Sequence, residues 1–139
     1  MDDPYNLRRF TEAQEAVYAQ VCEELHQGRK RSHWMWFIFP QIRGLGSSET
    51  AQYFAIASRE EAIAYAAHPV LWSRLRECTS FVLQVGDTSV EQIFGYPDNL
   101  KFHSSMTLFA QTAQENQVFV DALKKYFAGA LDLQTLARL

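Results

Sequence analysis

The sequence predicts an all-α fold: one compact domain over residues 1–139, built from about seven or eight short helices. Three observations predict it. Apolar residues recur at helical spacing through most of the chain. Helix-start residues, chiefly Ser, Asp and Asn, recur ahead of those runs, and a Gly or Pro stops most of them. Finally, no partner strand is evident for the one continuous apolar run, and no linker, internal repeat or low-complexity tract divides the chain.

Asp3-Pro4 suits a helix start, with an acceptor at the cap and a proline whose missing N–H is no loss there. Leu7, Phe10, Val17, Val21 and Leu25 follow at helical spacing, and Thr11-Glu12-Ala13-Gln14 reads as a capping box that divides a short turn from the main helix. Glu12, Glu15, Glu23, Glu24 and Gln27 form a solvated face, and Gly28 ends the helix. Ser32 is a cap for a short helix through Phe39, which Pro40 closes. A buried strand is the rival for this stretch.

Ser47 or Ser48 caps a helix carrying Ala51, Phe54 and Ala55. Ser58-Arg59-Glu60-Glu61 is a capping box before Ala62, Ile63 and Ala66. His68-Pro69 breaks that helix and opens the next, whose face is Leu71, Leu75, Cys78 and Val82 and whose stop is Gly86. Ser89-Val90-Glu91-Gln92 is another box. Pro97-Asp98 starts a helix with Phe102, Met106 and Phe109 inward and Lys101, Ser104 and Ser105 on a different face. Asn116 begins an amphipathic helix that ends at Gly129, and Asp132 caps a last turn.

A chain of 139 residues can bury roughly two-thirds of its unfolded surface and needs no disulfide or metal to hold a core. Its 47% apolar and 21% charged residues argue against disorder. The net charge of −3 argues against nucleic-acid binding by bulk electrostatics. Cys22 and Cys78 lie in apolar-periodic segments and read as buried free thiols, with one disulfide as the alternative. The acidic, turn-like start does not resemble a signal peptide, and the longest apolar run, Trp34 to Phe39, is too short to span a bilayer. These features predict a cytoplasmic protein with no membrane association.

The stretch from Gly28 to Gln41 joins the most polar chemistry to the most apolar bulk. Arg29, Lys30, Arg31, Ser32 and His33 run directly into Trp34-Met35-Trp36-Phe37-Ile38-Phe39. Arginine forks and a lysine point charge suit carboxylate or phosphate, and amides at a helix start would add to such a site. A solvated loop is the plainer reading. Trp34 and Trp36 read as core, with one of the two as a platform for a flat group. Gly44-Leu45-Gly46-Ser47-Ser48 resembles a phosphate cradle, although a turn before a serine cap explains it as well. Lys101 beside Ser104 and Ser105 has the order Lys-x-x-Ser, which is not the order of an activated nucleophile. His26, His33, His68 and His103 show no metal-ligand spacing, so no metal or cofactor is expected. His33, between the cations and the tryptophans, is the candidate acid–base group.

The Gly28–Gln41 stretch resembles the signature of a bacterial family, domain of unknown function 1810. Tyr53 to Ser58, His68-Pro69-Val70-Leu71, Ile93-Phe94-Gly95, Lys101 with Ser104 to Phe109, and Lys125 to Gly129 extend the resemblance over nearly the whole chain. It departs at Trp72, where the family tends to have glycine. The resemblance implies a multihelical all-α domain and implies no catalytic residues. Some relatives carry the label calpastatin-like, but an inhibitor of that type is a disordered repeat, whereas this composition describes a folded core.

Three functional expectations follow. The first is a site for a small phosphate- or carboxylate-bearing, nucleotide-like ligand, built from Lys30, Arg31, Ser32, Trp34, Gly44, Gly46, Ser47, Lys101 and Ser105, with His33 as the acid–base group if there is catalysis. The second is a non-catalytic domain whose basic loop, Arg29 to Arg31, contacts an acidic protein partner. The third, ranked last, is nucleic-acid binding through the same loop.

Overall fold

In the computed structural model, which describes residues 2–139, ten helices make up the regular structure. The number exceeds seven or eight because four of the segments are single turns of four or five residues. No strand forms among the described residues. One isolated parallel bridge joins Ile42 to Ile56.

The Asp3 carboxylate accepts the amides of Leu7 (2.8 Å) and Arg8 (3.0 Å) and so opens helix α1, Arg8–Glu15. These two bonds, the Arg8 amide first, hold the carboxyl below its ordinary range. Thr11 starts nothing: α1 runs through it, and its hydroxyl donates to the Arg8 carbonyl. The break falls at Val17, whose backbone leaves the helical region, and α2 follows as Tyr18–His26. Gly28 then takes φ +80°, the left-handed turn that glycine reaches without strain.

Ser32 does not cap the next helix. Its hydroxyl and its amide are both held by Glu24, so α3 is only Met35–Ile38 and starts from Trp34 with no side-chain cap. Ser48, not Ser47, caps α4, Glu49–Tyr53, by accepting the Ala51 amide. Ser58 accepts the Glu61 amide at the start of α5, Arg59–Ala67, but Glu61 does not complete the box. One of its oxygens accepts the Ala57 amide and the other pairs with Arg9.

His68 Nδ1 accepts the amides of Val70 and Leu71, and Pro69 occupies the first position of α6, Pro69–Gln84. Ser89 and Gln92 form a full reciprocal box on α7, Val90–Phe94. Helices α8, Asp98–Thr112, α9, Gln117–Phe127, and α10, Leu133–Ala137, complete the chain.

The two longest helices form the spine. α6 packs against α2, α5 and α9, while α8 packs against α5, α7, α9 and α10. Phe102, Met106 and Phe109 of α8 are fully buried. Phe39 meets Phe102 edge-on at 5.1 Å and Phe94 edge-on at 5.8 Å, so the Trp34–Phe39 segment is anchored in one continuous core. Arg9 ties the N-terminal helix to the α4–α5 connection. Its guanidinium donates to the carbonyls of Tyr5, Asn6, Tyr53 and Ala55 and pairs with Glu61 at 2.7 Å. All of these partners are needed, because a buried guanidinium is costly unless its donors are satisfied.

The C-terminal strap lies on α8. The Asp132 amide donates to Thr107 Oγ1, and the Ser104 and Thr135 hydroxyls donate to Asp132 Oδ2. Arg138 crosses Gly44: a Cβ on that glycine, whose φ is +101°, would stand 2.7 Å from Arg138 Nε. Among the described residues no helix is long and apolar enough to cross a membrane.

Candidate functional site

The turn at Gly28 sends residues 29–34 back across α2, and Glu24 is what they meet. Its Oε1 accepts the Arg31 amide (2.7 Å), the Ser32 amide (3.1 Å) and the Trp34 indole N–H (3.0 Å). Its Oε2 accepts the Ser32 hydroxyl (2.6 Å) and the Gln20 amide (3.0 Å). Glu24 is therefore not part of a solvated face; it is 2% exposed. Burial pushes its carboxyl up, but the bonds from the Ser32 hydroxyl, the Arg31 amide, the Trp34 indole and the Ser32 amide together hold it down at about 2. The loop's amides, expected to face an external anion, are filled by an internal one.

The basic run splits in consequence. Arg29 and Arg31 are exposed, and Arg31 donates to Gln27. Lys30 turns inward, its amide donating to the Ile93 carbonyl. Its ammonium meets Asp98 Oδ2 at 2.8 Å and lies 5.3 Å from the Trp34 ring centre. Asp98 Oδ1 takes a second ammonium, from Lys101 at 3.2 Å, which lies 5.1 Å from the Trp36 ring centre. Two cations thus share one carboxylate, each over an indole face, and one positive charge is left over. The Lys101 side chain is 25% exposed against 9% for Lys30, so Lys101 is the one an incoming anion can reach.

Lys101 also lines a cleft of about 460 Å³. Gln41, Leu45 and Gly46 form one wall, the outer turns of α8 from Pro97 to Ser104 form the floor, and Asp132 and Gln134 form the far side. Within it the Ser104 hydroxyl donates to Asp132 and to the Leu100 carbonyl. Burial raises the Asp132 carboxyl, but the Thr135 and Ser104 hydroxyls, with His103 nearby, outweigh it and lower it on balance. His103 stacks on Phe127 at 4.0 Å and bonds the Ala130 carbonyl through Nε2. Ser104 thus donates directly to the Asp132 carboxylate, and His103 Nε2 is turned to the Ala130 carbonyl, so no Ser–His–Asp relay forms.

The structure thus brings together Lys30, Trp34 and Lys101 around Asp98, and places Gly46 on the same cleft as Lys101. The other expected residues lie apart. His33 is exposed and makes no side-chain hydrogen bond among the described residues. Ser32 faces Glu24. Gly44 lies under Arg138, and Ser47 is exposed, its carbonyl taken by Gln52. Ser105 is fully buried with an unpartnered hydroxyl. Sequence reasoning missed Asp98, which it read only as part of a helix start. The i,i+3 spacing from Asp98 to Lys101 was a signal that could have found it. Trp36 was legible as one of two tryptophans able to serve as a platform, and Gln41 and Gln134 gave no comparable signal.

Comparison with known proteins adds the following. No functionally curated protein matches the sequence. A crystal structure of the conserved hypothetical protein Rv1873 from Mycobacterium tuberculosis matches with a TM-score of 0.97 and 56% identity, covering 99% of this chain and 98% of that one. The profile described as protein of unknown function (DUF1810) matches residues 4–139. With nearly the whole chain inside that match, the protein belongs to the DUF1810 family.

Proposed function

We propose that the cleft between the 41–46 segment and α8 binds a small molecule bearing a carboxylate or a phosphate, with Lys101 as its direct charge partner. The observation that carries this reading is the Lys30–Asp98–Lys101 cluster. An acid arriving at the cleft edge can take Lys101 from Asp98 Oδ1, because Lys30 continues to neutralise Asp98 through Oδ2. The Leu45, Pro97 and Leu100 side chains supply apolar surface for the rest of the ligand. The reading is one of binding and names no reaction. Two free thiols fit a cytoplasmic setting, where such thiols stay reduced.

The basic-loop readings draw less support. With Lys30 committed to Asp98, the run offers a partner only Arg29 and Arg31.

A thermal-shift and calorimetry screen of inorganic phosphate, dicarboxylates, sugar phosphates and nucleoside monophosphates tests the proposal. A ligand at about 100 times its Kd adds about 2.7 kcal/mol and raises Tm measurably. Wild type is expected to respond to at least one of these compounds, and Lys101→Met is expected to lose the response while keeping its far-ultraviolet spectrum. Absence of any response in wild type, or an equal response in Lys101→Met, would overturn the reading.

A further inference from the structure

Helix α2 packs on α6, and that contact brings the chain's two cysteines together. Cys78 on α6 is fully buried, whereas Cys22 on α2 is half-buried. The two thiols stand at the two ends of one side-chain cluster. Two polar side chains complete the cluster. The Tyr18 hydroxyl donates to Glu77 Oε1 at 2.5 Å, Cys22 Sγ lies 3.8 Å from the same oxygen, and Cys78 Sγ lies 3.8 Å from the Tyr18 hydroxyl. Arg74 stands over the Tyr18 ring at 4.9 Å and pairs with Glu15. Lys101, Asp98 and the cleft residues take no part in this cluster.

We propose that Cys22 and Cys78 form a redox-active dithiol in which Cys22 reacts first with a peroxide and Cys78 resolves the product to an intramolecular disulfide. The roles follow from position. Cys22 reaches solvent and Cys78 does not, so only Cys22 meets an oxidant directly. The ionisation of the pair runs the same way. The neighbouring Cys78 thiol, and Tyr18 after it, lower the Cys22 thiol to about 7, against the opposing effects of burial and the Glu77 charge. Cys22 beside it, with burial, raises the Cys78 thiol, which therefore keeps its proton. Burial first, and then the neighbouring thiols and Glu77, keep Tyr18 a neutral phenol that can donate to Glu77.

The steps balance. The Cys22 thiolate attacks one peroxide oxygen, the O–O bond breaks, and the leaving hydroxide takes a proton to become water. Cys22 is now a sulfenic acid. The Cys78 sulfur attacks the Cys22 sulfur, the S–S bond forms and the S–O bond breaks. The departing hydroxide takes the Cys78 proton as a second water. Two thiols have given two electrons to one peroxide.

Peroxide titration followed by intact-mass and non-reducing peptide analysis tests this. Wild type is expected to lose the mass of two hydrogens, to yield a linked Cys22–Cys78 peptide, and to regain both hydrogens with dithiothreitol. Cys78→Ser is expected to stop at a dimedone-trapped sulfenic acid on Cys22. Cys22→Ser is expected to remain unmodified at the same peroxide dose. A Cys22 that over-oxidises in wild type without forming the linked peptide would overturn the proposal, as would a disulfide only between molecules. The wild-type readout stands even if either variant folds poorly.

Discussion

Glu24 shows how one side chain sets the course of a loop. Five donors converge on its carboxylate, and four of them belong to residues 31–34, so the loop's path is written in those bonds. Its folded value of about 2 lies below the ordinary 4.5, so its contribution to stability is fully present above pH 4.5 and is lost as pH falls toward 2. Glu24→Gln keeps the shape and loses the charge. It is expected to lower stability at pH 7 by about 2 kcal/mol, with the gap from wild type closing as acid protonates Glu24. Urea melts of both proteins at pH 7 and pH 3 check this, and a gap independent of pH would contradict it. Sequence periodicity placed Glu24 on the polar side of a helix. It could not show that the chain turns at Gly28 and lays three residues over that side. The same limit hid the Asp98 cluster, since Lys30 and Asp98 are far apart in sequence and only the fold pairs them.

Helix starts behave differently, because a cap is a contact between near neighbours. Ser48, Ser58, His68 and Ser89 all accept the expected amides, and each was legible from a few consecutive residues. Where a start signal failed, a distant partner had claimed the side chain or the helix simply ran on: Glu24 holds Ser32, and α1 passes through Thr11. The reciprocal Ser89–Gln92 box opens α7, whose Ile93 carbonyl accepts the Lys30 amide. Ser89→Ala is expected to lower global stability by about 1 kcal/mol. It should also speed amide exchange at Lys30, because the acceptor of that amide sits on a helix whose first turn has been loosened. Hydrogen-exchange mass spectrometry on peptides covering residues 25–35 measures this, and unchanged exchange there would separate α7 from the loop.

At the scale of the molecule, the all-helical character followed from local signals, but the closure of the N-terminal helix onto the α4–α5 connection did not. That closure rests on Arg9, which spans two stretches more than forty residues apart in the chain. Arg9→Leu strands the buried Glu61 carboxylate and is expected to destabilise by about 3–5 kcal/mol. Adding Glu61→Leu should recover part of that loss, because the stranded charge is then gone. A double-mutant cycle from urea melts gives the coupling, and strict additivity would show that the pair does not act as a unit.

The strap that carries Asp132 and Gln134 has a consequence for the cleft it walls. Side-chain bonds hold it to α8, with Leu131 and Leu139 packed on the core, so on the proposed reading its docking and the occupancy of the cleft would be linked equilibria. A guest that touched the strap would favour the docked tail, and a docked tail would tighten the guest by the same factor. On the proposed reading the last ten residues would act as a thermodynamic partner of whatever the cleft holds, and fastening or loosening them would tune affinity without altering a single residue on the cleft floor.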